Sequence, residues 1–270
     1  MLKDFFYFYH PMKDFTKKYG PWALVAGASE GLGEAFAVEA ARRGLNVLIA
    51  ARRLDKLQDL AASLEGRFGV EVKYRQADLA DPAQIRALFL HQELTFGLVI
   101  YNAAYAPIGW FTDLTPENLE KIVAVNAQGP LLVAKLASDR MKELKKGGIV
   151  LMSSLAGTQG SPKIATYAAT KAFNMILAEG LWKELKPLGI DVLASCAGAI
   201  LTPGYGNTKH QKPAPGSMTP QQVASFTLDR LGRGPVVVPG TTNKLARLLM
   251  GRLLPRRLAI ALMHQQTKNL

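Results

Sequence analysis

The strongest constraint on this chain is an alternation. Short runs that are apolar at nearly every position are separated repeatedly by stretches with helical spacing. Ala23 to Ala28 is such a run, ends in glycines and is followed by a helical pattern from Leu32 to Arg43. Val47 to Ala51, Val70 to Arg75, Leu98 to Tyr101, Gly148 to Ser153 and Ile190 to Ser195 read as further strands, with Pro235 to Val238 as a last one. Between them lie helical patterns from Asp55 to Leu64, Pro82 to His91, Pro116 towards Asn126, onward to Leu144, and Tyr167 to Leu185. Strands without a polar face belong in a sheet covered on both sides. With intervening helices and right-handed crossovers, this predicts an α/β fold with a doubly wound parallel sheet.

No second core is marked by composition, so residues 21–240 are expected to form one domain. An aromatic-rich arm over 1–20 precedes it, and a lid loop over about 203–220 interrupts it, rich in glycine and proline. With 270 residues, 49% of them apolar, the chain has ample material for a core. Disorder and a small disulfide scaffold are thereby excluded. Cys196 is the only cysteine and cannot form an intramolecular bridge, which favours a reducing interior.

Charge is distributed unevenly. The net value is +12, from 33 basic and 21 acidic residues. From Val192 onward ten basic residues face one acid, Asp229. Within 241–270, leucines at 245, 248, 249, 253 and 254, then 258 and 262 beyond Pro255, make two amphipathic helical pieces with interleaved arginines. Such a tail either covers a pocket or subunit interface with a solvated basic face, or lies on an anionic membrane surface. Nucleic acid is disfavoured, because the aromatics sit in the arm and no recognition motif accompanies the charge. No run approaches the roughly 18 apolar residues of a membrane span, and the amino-terminal apolar run is too short for a signal peptide. The expectation is a soluble cytoplasmic protein with peripheral membrane contact as an option.

In an open parallel sheet, ligands bind beyond the carboxyl ends of the strands. Those positions here carry Gly27-Ala-Ser29-Glu30-Gly31-Leu32-Gly33, then Arg52-Arg53, Asp78-Leu79, Asn102, Ser154 and Gly198. A glycine loop before a helix either cradles a pyrophosphate or merely turns the chain. Arg52 and Arg53 replace the acid that accepts a ribose 2′-hydroxyl, so they select the 2′-phosphate of NADP(H) or are a solvated pair opening a helix. Glu30 is a repulsive neighbour for that phosphate. Asp78 suits an adenine amino group or a helix cap. Tyr167 and Lys171 stand at i and i+4, on one helix face. A phenol of pKa about 10 becomes a usable acid near neutrality if an ammonium lies about 4 Å away, since roughly 4 kcal/mol at an effective dielectric of 20 equals about three pH units.

Together these residues resemble the short-chain dehydrogenase/reductase family in its compact single-domain branch, from about Trp22 to Thr202. Gly27, Gly31 and Gly33 match its cofactor loop, Asp78 its adenine-side aspartate, and Asn102-Ala103-Ala104 its Asn-Ala-Gly turn. Asn126, Ser154, Tyr167 and Lys171 match its tetrad. Ala26, Ala104 and Ala197 depart from its usual Thr, Gly and Pro. The resemblance implies a Rossmann fold, no metal, and a nicotinamide near Gly198, Ile200 and Thr202. Ser154 would polarise a carbonyl and Tyr167 deliver its proton. Lys171 would bind the ribose and lower the Tyr167 pKa, while Asn126 would hold a relay water. Tyr105, Ile108, Trp110, Leu155, Gln159 and Tyr205 fall where this family builds its substrate pocket and favour a bulky lipophilic ketone or alcohol, steroid-like or long-chain 3-oxoacyl. A homodimer or homotetramer is expected. The alternatives are an NAD-dependent alcohol dehydrogenase and a non-catalytic cofactor-binding membrane or interaction protein.

Overall fold

Strand β1, Trp22–Ala26, is buried at every position and pairs in parallel with β2, Asn46–Ala51, on one side and β4, Phe96–Tyr101, on the other. Both faces of these strands meet side chains, as their continuous apolar runs require. The computed structural model describes residues 14–90, 93–202 and 214–267. Its remaining strands are β3, Val72–Gln76, β5, Gly147–Ser154, β6, Ile190–Ala197, and β7, Val236–Val237. They form one parallel sheet in the order β3-β2-β1-β4-β5-β6-β7. The order reverses between β1 and β4, which opens a crevice at that point.

Helices flank the sheet: α1, Gly31–Arg42, α2, Leu54–Phe68, α3, Pro82–Leu88, α4, Pro116–Val123, α5, Gly129–Leu144, α6, Ala165–Leu185, α7, Pro220–Arg230, α8, Thr241–Leu248, and α9, Arg256–Thr267. Several begin with proline at the first position, where its missing N–H costs nothing. Asp81 caps α3 by accepting from Ala83 N at 2.8 Å, and Thr115 caps α4. The core divides into two apolar layers, one on each face of the sheet.

Several expectations need correction. A helix not expected from the sequence follows the loop over about 203–220: Thr219 and Gln222 form a capping box that starts α7, and Val223, Ala224 and Leu228 join the core. Ile200 forms an isolated parallel bridge with Met218. Residues 203–213 of that loop, with Tyr205, lie outside the described residues, as do residues 1–13 of the arm. Residues 14–19 are helical, and Phe15 and Tyr19 belong to the core. There Tyr19 donates to the buried carboxylate of Asp191 at 2.7 Å. Strand β4 starts at Phe96 rather than Leu98, because Gly97 lets it run against the chain at 19–20. A Cβ at Gly97 would lie 2.5 Å from the Tyr19 and Gly20 carbonyl oxygens. The helix expected to end near Asn126 passes through a π-helical turn, Ala124–Gln128, into α5.

Candidate active site

The register of the sheet sets the site. Ala26 pairs with Ala50 and with Tyr101, so the loops after β1, β2 and β4 open on one edge. Ser154 pairs with Ala197 further along that edge. A cavity of about 460 Å³ lies there.

Its floor is the glycine loop. Gly27 and Gly31 adopt φ of +89° and +61°, a region that favours glycine. At Gly33 a Cβ would fall 1.9 Å from the Gly27 carbonyl oxygen, so only glycine lets α1 approach the turn this closely. Asn102 Nδ2 ties the same carbonyl at 3.0 Å. Among the described residues no side chain caps the amino end of α1. Its free N–H groups and partial positive charge face the cavity and suit an anionic group. These features fit the pyrophosphate of a dinucleotide.

The structure brings Ser29, Glu30, Leu32, Arg52, Arg53, Asp78, Leu79, Ala103, Ala104, Tyr105 and Thr202 to the wall of this cavity. The arginines behave differently from one another. Arg53 is bound to Glu30 by contacts of 3.0 and 2.9 Å and to Ser29 Oγ at 2.8 Å. Arg52 is exposed and has no such pairing among the described residues. Asp78 is not the helix cap, which is Asp81; its Oδ1 accepts from Ala80 N at 3.0 Å. Gly198 and Ile200 are not on the cavity wall: Gly198 lies against Asn243, and Ile200 packs into the core. Lys121, Val125, Ala51 and Ala77 line the cavity without having been singled out from the sequence. Val125 adjoins Asn126 and Lys121 stands one helical turn before Val125, a spacing that places both on one face.

The proposed tetrad is assembled from three elements. Ser154 ends β5 and its Oγ accepts from Ala156 N at 3.2 Å. The following turn, Leu155–Thr158, lies directly on α6, where a Cβ at Gly157 would meet Ala172 N at 2.7 Å. That closeness brings Ser154 to Tyr167, and their hydroxyls interact. Lys171 is buried, 3% exposed. Its Nζ donates to the Met152 carbonyl at 3.0 Å and lies 5.5 Å from the centroid of the Tyr167 ring. Burial pulls the Lys171 ammonium down to about 8.

The expected lowering of the Tyr167 pKa by Lys171 is not what this geometry produces. Burial raises the phenol, and the Ser154 contact offsets only part of that rise. The reason is that Nζ is turned towards Met152 O and is itself penalised by burial.

Asn126 is fully buried in the π-helical turn. Its amide is held both ways by the Tyr105 backbone, accepting from N and donating to O, each at 2.8 Å. Its own carbonyl accepts from Asn174 Nδ2 at 3.1 Å. Asn174 escaped the sequence reading because the contact spans 48 residues.

Of the expected substrate wall, Tyr105 is oriented by a hydrogen bond to Asn118 at 2.9 Å. Ile108 and Trp110 are exposed. Leu155 is half-buried, and Gln159 is buried with its amide turned back onto Thr158 and Leu155. Gln159 therefore supports its own turn instead of opening into the cavity. The tail closes over this region: Arg256 donates to Thr158 O at 2.7 Å, Ile260 packs on Gly160, and the His264 and Trp110 rings are 5.7 Å apart.

A family model described as short chain dehydrogenase matches residues 21–213. A 7beta-hydroxysteroid dehydrogenase of Clostridium sardiniense is 30% identical over 234 residues, covering 86% of this chain and 90% of the relative. A very-long-chain 3-oxoacyl-CoA reductase of Podospora anserina is 36% identical over 182 residues, 65% of this chain and 53% of the relative. Among solved structures, one of a 7beta-hydroxysteroid dehydrogenase superimposes with a TM-score of 0.86 at 28% identity, covering 92% of this chain and 98% of that one. A short-chain dehydrogenase from Sphingobium yanoikuyae in complex with NADPH gives 0.75 at 31%, covering 87% and 97%. With its glycine loop, its seven-stranded sheet and these relatives, this chain belongs to the short-chain dehydrogenase/reductase family of oxidoreductases.

Proposed function

We propose that the protein interconverts a bulky lipophilic ketone and its secondary alcohol using NADP(H), on a steroid-like or long-chain 3-oxoacyl substrate. The observation that carries this reading is the convergence of Ser154, Tyr167 and Lys171, joined through Asn174 and Asn126 to Tyr105 on the wall of a cavity that Arg52 also lines. The nicotinamide supplies or accepts the hydride when bound. Ser154 donates to the substrate oxygen and Tyr167 exchanges the proton with it. Lys171 holds the ribose hydroxyls while its ammonium stays anchored on Met152 O. Asn126 orders the Tyr105 loop and offers its carbonyl to the relay. Arg52 makes charge-assisted contacts to a 2′-phosphate, which supports NADP(H) over NAD(H).

The substrate class draws support from the tail, where Ile260 of α9 lies over Gly160 and His264 beside the Trp110 ring, and from the relatives named above. The test is oxidation of NADPH across a panel of lipophilic ketones. Activity with steroid or long-chain ketones that disappears in Tyr167→Phe supports the reading. Turnover that survives this substitution overturns it.

Two further assignments rest on exposed apolar faces. Phe173 and Ile176 on α6 and Leu131 on the adjoining α5 suit a second copy of this chain. Leu245, Leu249 and Leu253 form an exposed row one turn apart beside Lys244, Arg247 and Arg252, which line a second cavity of about 380 Å³. Apolar and cationic groups so arranged suit an anionic membrane surface. No helix among the described residues is long and apolar enough to cross a membrane.

A further inference from the structure

The side chain of Asn174 lies at the centre of the site, on the same face of α6 as Tyr167 and Lys171. It is 1% exposed. Its Nδ2 donates to two main-chain carbonyls from different elements, Asn126 O at 3.1 Å and Met152 O at 3.3 Å. The second of these also accepts from Lys171 Nζ at 3.0 Å, so the amide and the ammonium are neighbours on one oxygen. The first belongs to the π-helical turn, a local irregularity that is frequent at functional sites. Asn174 Oδ1 is buried and has no hydrogen-bond partner among the described residues. A buried acceptor of this kind is normally satisfied by protein or an ordered water.

We propose that Asn174 is a positioning residue of the proton relay, clamping the Asn126 and Met152 carbonyls through Nδ2 and accepting through Oδ1, by way of one ordered water, from the Lys171 ammonium. This inference rests on the reading that Tyr167 and Lys171 carry the proton. An ammonium has three donors. Met152 O takes one, the ribose of a bound nucleotide takes another, and Asn174 provides for the third. Without this acceptor, the buried charge of Lys171 is poorly solvated and its neutral form is favoured. The titratable neighbours are Tyr167, on the same helix, and Cys196, at the end of β6 and near Tyr167. Burial is the only cause that moves Lys171 itself.

The experiment follows Lys171 directly by NMR in full-length protein labelled with [13Cε]lysine, the signal being assigned by its loss in Lys171→Met. Asn174→Asp, nearly isosteric, is expected to raise the Lys171 midpoint by about one pH unit or more, and Asn174→Leu to lower it. With any ketone that the wild type reduces, Asn174→Leu is expected to lower kcat at pH 7 about tenfold with KM for NADPH unchanged. The alkaline limb of the Asn174→Asp profile is expected to move with its Lys171 midpoint. If Asn174→Leu does not fold, Asn174→Asp alone decides the matter. Midpoints that coincide with wild type in the folded variants overturn the proposal. If the wild type reduces no ketone, the functional reading fails, while the Lys171 titration still decides the role of Asn174.

Discussion

Arg53 grips Glu30 with both guanidinium nitrogens, Nη1 to Oε2 at 3.0 Å and Nη2 to Oε1 at 2.9 Å. The pair neutralises the carboxylate that would otherwise repel a phosphate at the mouth of the cofactor cavity. It also engages Arg53, so the proposed preference for NADP(H) rests on Arg52. A charge-assisted hydrogen bond is worth about 1.5–3 kcal/mol, or roughly ten- to a hundredfold in affinity. Arg52→Ala is therefore expected to weaken NADPH binding by that factor and leave NADH unchanged, as read by fluorescence titration. Equal losses for both nucleotides would count against the assignment.

Tyr167→Phe keeps the ring and removes only the hydroxyl that meets Ser154. Turnover is expected to fall by about a hundredfold or more, the usual contribution of a positioned proton donor. NADPH affinity is expected to stay within a factor of a few, because the cavity walls for the nucleotide are untouched. Comparing single-turnover rates with equilibrium binding separates the two quantities.

Stability carries a pH signature of the buried lysine. Its folded pKa of about 8 lies below the ordinary 10.5. Below pH 8 both states hold the proton and the cost of the buried charge is felt in full. From about 8 to 10.5 the unfolded state binds more protons, so this group makes stability rise with pH. Cys196, pushed by burial from 9.0 to about 11, acts in the opposite direction above pH 9, and Tyr167, raised by burial, does so above its ordinary 10.0. The rise is thus cleanest between pH 8 and 9. Lys171→Met is expected to abolish it and to gain up to about 3 kcal/mol at pH 7. Urea unfolding of both proteins across this range provides the measurement.

Gly33→Ala would place a Cβ 1.9 Å from Gly27 O and 2.8 Å from Asn102 Nδ2. Forcing that turn open is expected to cost about 1–3 kcal/mol and to weaken NADPH binding at the same time. Gly66, inside α2 with nothing within 4 Å, is the control: Gly66→Ala is expected to stabilise the protein by up to about 1 kcal/mol. Thermal melts with and without NADPH distinguish the two.

The tail can be tested without a substrate. The full-length protein is expected to sediment with vesicles containing phosphatidylserine and not with pure phosphatidylcholine, and to lose this in the Leu249→Ser/Leu253→Ser double variant. A variant that still sediments would refute the membrane assignment. Loss of a dimer in size-exclusion chromatography, without vesicle binding by either protein, would assign the leucines to a subunit interface.

Much of this protein is legible in its sequence, because its defining signals are local. The order of strands and helices follows from periodicity, and the pairing of Tyr167 with Lys171 from one helical turn. The glycine loop follows from the conformations that only glycine adopts freely. Helix α7 was equally local in origin, since Thr219, Pro220 and Gln222 spell its capping box; it was missed because the preceding residues read as loop. Gln159 shows the opposite limit: its position after β5 suggested a pocket wall, but the short turn folds its amide back on itself.

By itself, the sequence determined the buried parallel sheet, the edge at which ligands gather and the identities of the groups available there. Tertiary structure alone decided how those groups are spent. It engaged Arg53 with Glu30, turned Lys171 towards Met152, joined Asn174 to a carbonyl 48 positions away and laid the basic tail over the turn that follows Ser154. The physical reason is range. Backbone propensity and side-chain periodicity act within a turn or two, whereas desolvation and hydrogen-bond competition depend on which distant segments the packed core brings into contact.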